Sequence, residues 1–235
     1  MVGTLLNVVT IVVGSILGIL IGTRLSSQLR DTVVFGLGLF TLGYGLMTFL
    51  ETTNPLVPLG GLLIGALLGE WWQLEKHLDN VGWFLRRRFL RDEVGEAAQS
   101  RFVEGFVTAS LVFLIGPMAI LGSIQDGLTG NFELLAIKAI LDGFASIAFA
   151  SSMGIGVIFS ALTILIYQGS ISLLAGLFSQ YFSAAMMAEM TAVGGLILMA
   201  IALSSLLAVK KIRTASFLPG LIVTPLIVLI LERFL

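Results

Sequence analysis

The stretch LLAIKAILDGFASIAFASSM, residues 134–153, decides how this chain folds. About 20 predominantly apolar residues in a helix cross the hydrocarbon core of a bilayer. Lys138 and Asp142 interrupt the stretch at i, i+4, so they share a helix face and can neutralise each other. Because an ionisable side chain at membrane depth is costly, Asp142 indicates a solute, proton or ion site facing a bundle interior. A purely structural ion pair with Lys138 is the alternative interpretation.

The composition of the whole chain agrees with a membrane environment. Of its 235 residues 57% are hydrophobic and 11% are charged, and the mean hydropathy is +1.05, which excludes a soluble globular domain. The chain has no Cys and a single His, His77, so thiolate chemistry, Cys metal sites and histidine clusters are excluded. A net charge of −1 without a basic tail gives no attraction to nucleic acid. We expect no cofactor.

Eight hydrophobic segments divide the chain, each about 17 to 23 residues long and therefore able to span a membrane as a helix. They are residues 3–23, 32–50, 56–72, 102–122, 134–153, 155–177, 186–208 and 216–232. The first segment lacks a positively charged start and a small-residue cleavage site, so we expect it to be retained. We predict an all-α, polytopic transmembrane helical bundle of about eight spans, forming a single integral-membrane domain over residues 1–235.

The basic residues orient this bundle. Eleven of the thirteen lie in the connections after segments 1, 3 and 7, which share one side if every segment crosses. By the positive-inside rule that side is the cytoplasm, so both termini should be external. The connection at residues 151–156 carries no charge. It leaves open whether segments 5 and 6 are two full spans or a re-entrant hairpin.

The residues at about 73–101 form the one substantial stretch outside the segments. Leu74, Leu78, Val81 and Leu85 make an apolar helical stripe that precedes the basic run Arg86–Arg88. This pattern is typical of an amphipathic helix lying in the cytoplasmic headgroup region. Anchoring is the favoured interpretation, and a regulatory or lipid-sensing role is the alternative.

Polar residues within the other segments extend the candidate site. Asp142 lies eight residues from the external start of segment 5, or about 12 Å, and Gln168 nine residues from the external end of segment 6, or about 13 Å. These two side chains should therefore lie at similar depth. Asn7 and Glu189, near the external ends of segments 1 and 7, are expected to sit higher and to line the approach. Glu70 and Glu104 are expected to pair with nearby Arg at cytoplasmic span ends.

Helix breakers and small residues add two further expectations. Gly116-Pro117 interrupts segment 4, and broken helices in transporters often expose backbone groups that coordinate the substrate. Small residues recur at every fourth position in segments 1 and 3, as Gly14, Gly18, Gly22 and Gly61, Gly65, Gly69. Such stripes allow close helix packing in lipid. We expect some of these contacts to join protomers of a homo-oligomer.

The motifs of membrane enzymes are incomplete in this chain. The Gly-x-Gly-Asp element of intramembrane aspartyl proteases is absent. The run Asp142-Gly143-Phe144-Ala145 begins like the motif of CDP-alcohol phosphotransferases, but Ser146 stands where that motif has Arg, and no Asp pair follows. We therefore expect a protein that is not an enzyme.

Several longer motifs resemble one known family. They are Arg101-Phe-Val-Glu-Gly-Phe-Val-Thr-Ala-Ser110, Gly122-Ser-Ile-Gln-Asp-Gly127, Leu141-Asp-Gly-Phe-Ala-Ser-Ile-Ala-Phe-Ala-Ser151, Tyr167-Gln-Gly169 and Glu189-Met-Thr-Ala-Val-Gly-Gly195. Together with Gly3-Thr-Leu-Leu-Asn7 they resemble the bacterial integral-membrane family catalogued as domain of unknown function 554. The resemblance implies a multi-pass protein of the bacterial inner membrane and brings no activity or substrate with it.

These observations favour a secondary transporter or channel for a small solute. Acidic residues within or at the ends of spans outnumber the basic ones, which favours a cation or a proton-coupled substrate over an anion. The expected pathway residues are Asp142, Lys138, Gln168, Glu189, Asn7, Gly116 and Pro117. The expected partners are the lipid bilayer, a small molecule or ion, and further copies of the chain. The alternative is a non-transporting scaffold or sensor that acts through the basic amphipathic helix.

Overall fold

The computed structural model describes residues 1–24, 26–89, 96–115, 117–175 and 183–234. The regular elements within these ranges are all helical, which confirms the all-α prediction. The α-helices are α1 (Val2–Gly22), α2 (Ser27–Phe49), α3 (Leu56–Trp71), α4 (Leu74–Phe89), α5 (Glu96–Leu114), α6 (Pro117–Thr129), α7 (Glu133–Met153), α8 (Ser160–Leu173), α9 (Ala184–Ile201) and α10 (Gly220–Phe234). Short 3₁₀-helices at Ile155–Phe159 and Thr214–Phe217 precede α8 and α10, and a π-helix at Ala202–Leu206 extends α9.

Each hydrophobic segment of the sequence corresponds to a helix or to a pair of helices. In the described residues six helices are long and apolar enough to cross a membrane, and a seventh span results if α5 and α6 count as one bent span. The shorter α3 is apolar over 16 residues, or about 24 Å at 1.5 Å per residue. The number of spans is therefore roughly consistent with the eight predicted.

Glycine, asparagine and serine set the ends of several helices. Gly130 and Gly154 have φ of +72° and +83°, a conformation that glycine adopts without steric cost, and they follow α6 and α7. Asn131 Oδ1 accepts a hydrogen bond from Glu133 N at 3.0 Å, at the start of α7. Ser183 Oγ accepts one from Met186 N at 3.1 Å, at the start of α9.

Both α7, with 21 residues, and Ile155–Leu173, with 19, have the length of a full span rather than of a re-entrant half.

The described residues form two compact units. The first comprises those within Met1–Gly36, Asp79–Leu114 and Met118–Gln180, and the second those within Leu37–Leu78, Ile115–Pro117 and Tyr181–Leu235. The candidate site at Asp142 belongs to the first unit. The prediction of one integral-membrane domain stays a prediction.

In the first unit the glycine stripe of α1 packs directly on α7. A Cβ added at Gly14, Gly18 or Gly22 would collide with the backbone oxygen of Gly143, Ile147 or Ser151, respectively. Both series advance by four residues in the same direction, so α1 and α7 are parallel. Small residues thus let the two backbones touch, as the sequence indicated, and they bring the polar positions of α1 against Asp142.

The second glycine stripe packs in the same way within the second unit. A Cβ at Gly61, Gly65 or Gly69 of α3 would collide with Thr224, with Gly220 or with Ser216. The residue numbers of these glycines increase while those of the residues they contact decrease, so α3 is antiparallel to the segment that includes α10. Likewise Gly45 of α2 lies against Gly195 and Gly38 against Leu207, which makes α2 and α9 antiparallel.

These packing directions support eight crossings. Parallel packing of α1 and α7 requires an odd number of crossings between them, and antiparallel packing of α3 with α10 requires an even number. If α2, α7, α8 and α9 each cross, both conditions hold only when α3 and the bent pair α5–α6 also count as crossings. A topology of eight crossings, with α3 and the pair α5–α6 counted as spans, is therefore consistent with these packing directions.

Candidate functional site

Asp142 lies at the centre of a buried polar cluster in the first unit. Its Oδ2 accepts hydrogen bonds from Lys138 Nζ, one turn earlier on α7, and from Asn7 Nδ2 on α1 at 2.9 Å. The side chains of Lys138 and Asp142 are 7% and 12% exposed. The spacing of four residues thus produces the ion pair that the sequence predicted, and it lies in the middle of a candidate span.

Two amides complete this cluster. Asn7 Nδ2 also lies 3.4 Å from Gln168 Oε1 on α8, and both amide side chains are fully buried. An amide carries two N–H donors, and both donors of Asn7 are used in these two contacts. Asn7 Oδ1 and Gln168 Nε2 have no hydrogen-bond partner among the described residues. A buried polar atom without a partner costs about 1–3 kcal/mol, and each of these two atoms can still make a hydrogen bond.

The structure brings together four of the predicted pathway residues: Asn7, Lys138, Asp142 and Gln168. Gln168 and Asp142 both lie within hydrogen-bond distance of Asn7, which is consistent with the similar depth that the sequence predicted. Asn7 does not sit higher along the approach as expected, because the close packing of α1 on α7 places its amide directly on the Asp142 carboxylate.

Glu189 has a different environment, in the second unit. Its carboxylate accepts four hydrogen bonds from the loop before α3: Thr52 Oγ1 at 2.5 Å, Thr53 Oγ1 at 2.7 Å, Thr53 N at 2.8 Å and Asn54 N at 3.0 Å. A carboxylate has about four acceptor positions, and only 2% of the Glu189 surface is exposed. These hydrogen bonds hold the loop against α9. The role of Glu189 in a pathway stays a prediction.

The break in segment 4 lies only partly within the described structure. Gly116 is outside the described residues, and Pro117 is the first residue of α6. The helices before and after the break are bent by 65° relative to each other, which a proline that cannot continue the preceding helix explains. The side chain of Asp126, further along α6, is almost fully buried.

Asp126 is a buried carboxylate in the stretch between segments 102–122 and 134–153, where the sequence predicts a connection. Because α6 continues to Thr129, Asp126 is helical instead. Its Oδ2 accepts a hydrogen bond from Gly3 N at 3.0 Å, and its Oδ1 lies 2.9 Å from the amino group of Met1. A carboxylate at a helix N-terminus is stabilising, so Asp126 fixes the beginning of α1.

The prediction that Glu70 pairs with an Arg is confirmed. Arg213 Nη1 lies 2.8 Å from Glu70 Oε2, and Glu75 Oε2 accepts a hydrogen bond from Ala215 N at 2.7 Å. These contacts join the start of the 3₁₀-helix Thr214–Phe217 to the end of α3 and to the start of α4. They have a structural explanation and need no transported solute.

The amphipathic stretch forms α4 and presents a basic, aromatic surface. Gly82 packs against Val103 and Phe106 of α5, whereas Phe84 and Phe89 are 67% and 63% exposed. Arg87 and Arg88 are exposed beside them. Aromatic and basic side chains together suit a lipid headgroup region.

An apolar groove lies beside the polar cluster but does not belong to it. It has a volume of about 410 Å³ between α1 and α7 and is lined by residues such as Val13, Ile140 and Phe144. The hydroxyl of its polar member, Thr10, donates to the backbone oxygen of Asn7. This groove offers no group that would bind a polar solute, and its exposed side chains suit contact with lipid.

The sequence analysis missed two buried hydroxyls on the inner face of α1. Thr4 and Ser15 are fully buried, and their oxygens have no partner among the described residues. They lie on the helix face that also carries Asn7 and the glycine stripe. The spacing of these polar residues relative to Gly14, Gly18 and Gly22 is the signal that would have found them.

The chain is similar to known proteins over almost its whole length. The family described as Protein of unknown function (DUF554) matches residues 2–229. The Uncharacterized membrane protein YdfK of Bacillus subtilis (strain 168) is 30% identical over 238 residues, covering 100% of this chain and 98% of that protein. The Uncharacterized protein YqgA of Escherichia coli (strain K12) is 30% identical over 221 residues, covering 94% and 93%. No solved structure matches the chain.

Proposed function

We propose a transport function for this chain, which belongs to the family described as Protein of unknown function (DUF554). The chain is a helical membrane protein. In this proposal it is a secondary transporter or channel for a small solute in the bacterial inner membrane, with a cation or a proton as the transported or coupling ion.

The observation that carries the proposal is the buried cluster around Asp142. Asn7 and Gln168, from two other helices, add polar groups to the ion pair, and these two amides are incompletely paired among the described residues. Ionisable groups in spans that face the bundle interior mark substrate and ion pathways. Incomplete pairing suits a site that exchanges partners, because a fully satisfied network would only rigidify the bundle.

Lys138 defines what kind of ion this site accepts. Its ammonium is a cation already bound to the Asp142 carboxylate, so a cation or proton from outside competes with it. Such a competition couples binding to a change in the bundle, since Lys138 must move when its counter-ion is neutralised. An anion would instead have to displace the carboxylate.

A specific observation keeps the scaffold or sensor function as the second candidate. The exposed Phe84 and Phe89 beside Arg87 and Arg88 on α4 make a surface that suits anionic lipid. This surface is separate from the Asp142 cluster in sequence and chemistry. It explains anchoring equally well, and it provides no route for a solute.

A ligand screen tests the transport proposal across several classes of solute. The purified protein is heated with alkali cations, primary amines, amino acids and weak acids, and the unfolding midpoint is recorded. A ligand at 100 times its Kd adds about 2.7 kcal/mol to stability. We expect one chemical class to raise the midpoint of the wild type and of Asp126→Asn, but not that of Asp142→Asn.

Two outcomes would count against transport. One is a ligand-induced shift that persists unchanged in Asp142→Asn, which would place binding elsewhere. The other is a screen in which no solute stabilises the protein while Arg87→Gln/Arg88→Gln abolishes its preference for anionic vesicles. That result would favour the scaffold or sensor.

A further inference from the structure

The hydrogen-bond directions in the Asp142 cluster are fixed by the charge of Asp142. While the carboxylate is ionised it only accepts, so Asn7 must turn its Nδ2 towards it. The other N–H of the same amide then points to Gln168, which must present Oε1. A half-turn of either amide alone would set two acceptors or two donors against each other.

A proton on Asp142 reverses both directions. The carboxylic acid donates, and Asn7 meets it by a half-turn that places Oδ1 where Nδ2 was. A half-turn of Gln168 then presents Nε2 to the same Oδ1. A carbonyl oxygen accepts two hydrogen bonds, so Asn7 again makes two contacts in the same positions. The atoms used in this second arrangement include Asn7 Oδ1 and Gln168 Nε2, the two that have no partner among the described residues in the first.

We propose that Asp142 is a proton-binding site and that the Asn7–Gln168 pair is its relay, which reverses its hydrogen-bond direction with each protonation. The proton comes from a hydronium ion: one O–H bond of that ion breaks and leaves water, and one O–H bond forms on Asp142. This inference rests on the proposed transport function for its purpose and names the coupling ion as a proton.

Among the described residues one charged side chain, that of Lys138, contacts Asp142. The helix α1 and the 3₁₀-helix Ile155–Phe159, which pack on α7, carry no ionisable side chain, and α8 carries only Tyr167. The helix α6, whose Gly122 lies against Leu135 near the start of α7, carries Asp126, which is paired with the amino group of Met1. The ionisable side chains of α5 lie in its first half, where Gly105 contacts Met153 at the other end of α7. Protonation of Asp142 therefore has one direct electrostatic consequence, the loss of the counter-ion of Lys138.

An alkali cation fits this cluster less well than a proton. The described oxygens that remain available are those of a single carboxylate and one amide, and the Lys138 ammonium already lies on the carboxylate. A metal ion would have to displace that ammonium and would leave Gln168 Nε2 without an acceptor. A proton needs no additional ligand.

Two spectroscopic readouts on the full-length protein in lipid nanodiscs test the inference. Infrared difference spectra between acidic and alkaline buffer are expected to contain a carboxylic C=O band that is missing in Asp142→Asn and present in Asp126→Asn. The side-chain amide NMR signals of ¹⁵N-labelled Asn and Gln, assigned with Asn7→Leu and Gln168→Leu, are expected to follow the same pH midpoint.

The inference is overturned if no carboxylic band of Asp142 appears while the protein is folded, or if the two amide signals ignore its titration. If Asp142→Asn does not fold, Asn7→Leu supplies the second test, because it should shift the frequency of the Asp142 band. A protein that transports with a sodium gradient and never protonates Asp142 would keep the transport function and lose this inference. Protonation of Asp142 with reversal of the two amides, but without any flux, would keep this inference and contradict the transport function.

Discussion

At the scale of single residues, the pair Lys138–Asp142 is difficult to explain by stability alone. Removing two charges from water costs several kcal/mol each, and replacing a buried ion pair by apolar residues is often neutral or stabilising. A chain that needed only a stable α7 would be served by two apolar side chains at these positions. The pair is better explained by a function that needs charge in the membrane.

The energetic asymmetry of this pair gives the first prediction. Lys138→Met leaves Asp142 buried without its counter-ion and should lower the free energy of unfolding by about 3–5 kcal/mol. The double variant Lys138→Met/Asp142→Leu should recover most of that loss. Steric-trapping measurements in bicelles give the three free energies. Additive effects of the two substitutions would show that the ion pair contributes no coupling.

Spacing and depth were sufficient to predict part of this site from the sequence. Lys138 and Asp142 share a helix face because they are four residues apart, and Gln168 joins them through its contact with Asn7. The direct bond from Asn7 was not predictable, because the level of α1 against α7 is set by backbone contacts at Gly14 and Gly18. The partners of Glu189 come from a loop 135 to 137 residues away, and no local pattern indicates them.

At the scale of elements, the glycine stripes determine where α1 and α3 lie. Each stripe contacts a segment of its own unit at three successive glycines. Sequence periodicity predicted the close packing, but it did not identify the partner helix. The packing on α7 explains why polar α1 residues enter the site.

The second prediction tests this packing. A Cβ at Gly18 would collide with the backbone oxygen of Ile147 and lie 3.0 Å from Ala150 Cβ, whereas a Cβ at Gly36 meets nothing within 4 Å. Gly18→Ala should therefore destabilise the protein by about 1–3 kcal/mol, and Gly36→Ala should be neutral or slightly stabilising. Thermal unfolding in the same detergent compares them. Equal midpoints would contradict the contact.

The third prediction concerns the loop before α3. Glu189→Gln replaces two acceptor oxygens by one oxygen and an NH₂ group that faces further donors. The amides of Thr53 and Asn54, which both donate to Glu189, should then exchange hydrogen faster, by about tenfold for each 1.4 kcal/mol lost. Hydrogen-exchange mass spectrometry of the 50–56 peptide measures this. Unchanged exchange would mean that other contacts hold the loop.

Element boundaries also show where the sequence was insufficient. The apolar segment 102–122 does not reveal that α6 continues through polar residues to Thr129 and buries Asp126. Its burial depends on the start of α1, which is distant in the chain. Gly116-Pro117 did mark the bend in this span, because proline removes a donor that a continuous helix needs.

At the scale of the whole molecule, topology gives the fourth prediction. The distribution of basic residues predicts eight crossings with both termini external, and the packing directions are consistent with that number of crossings. Reporter fusions after Leu235 and within residues 52–54 should score external, and fusions near Arg91, which lies outside the described residues, should score cytoplasmic. A cytoplasmic C-terminus would contradict the eight-span topology.

Assembly into a homo-oligomer stays a prediction. The glycine stripes that motivated it are occupied by helices of the same chain, so an interface between protomers would use other surfaces. The exposed apolar side chains of the spans, such as Phe40, Leu67 and Ile222, are equally suited to lipid.

The central claim is that Asp142 carries transport, and flux through proteoliposomes tests it most directly. Currents driven by a proton or solute gradient are recorded on solid-supported membranes for the wild type, Asp142→Asn and the control Asp126→Asn, each checked for folding. We expect flux in the wild type and in Asp126→Asn, and its loss in a folded Asp142→Asn. Flux in Asp142→Asn equal to that of the wild type would contradict it and show that the carboxylate is structural.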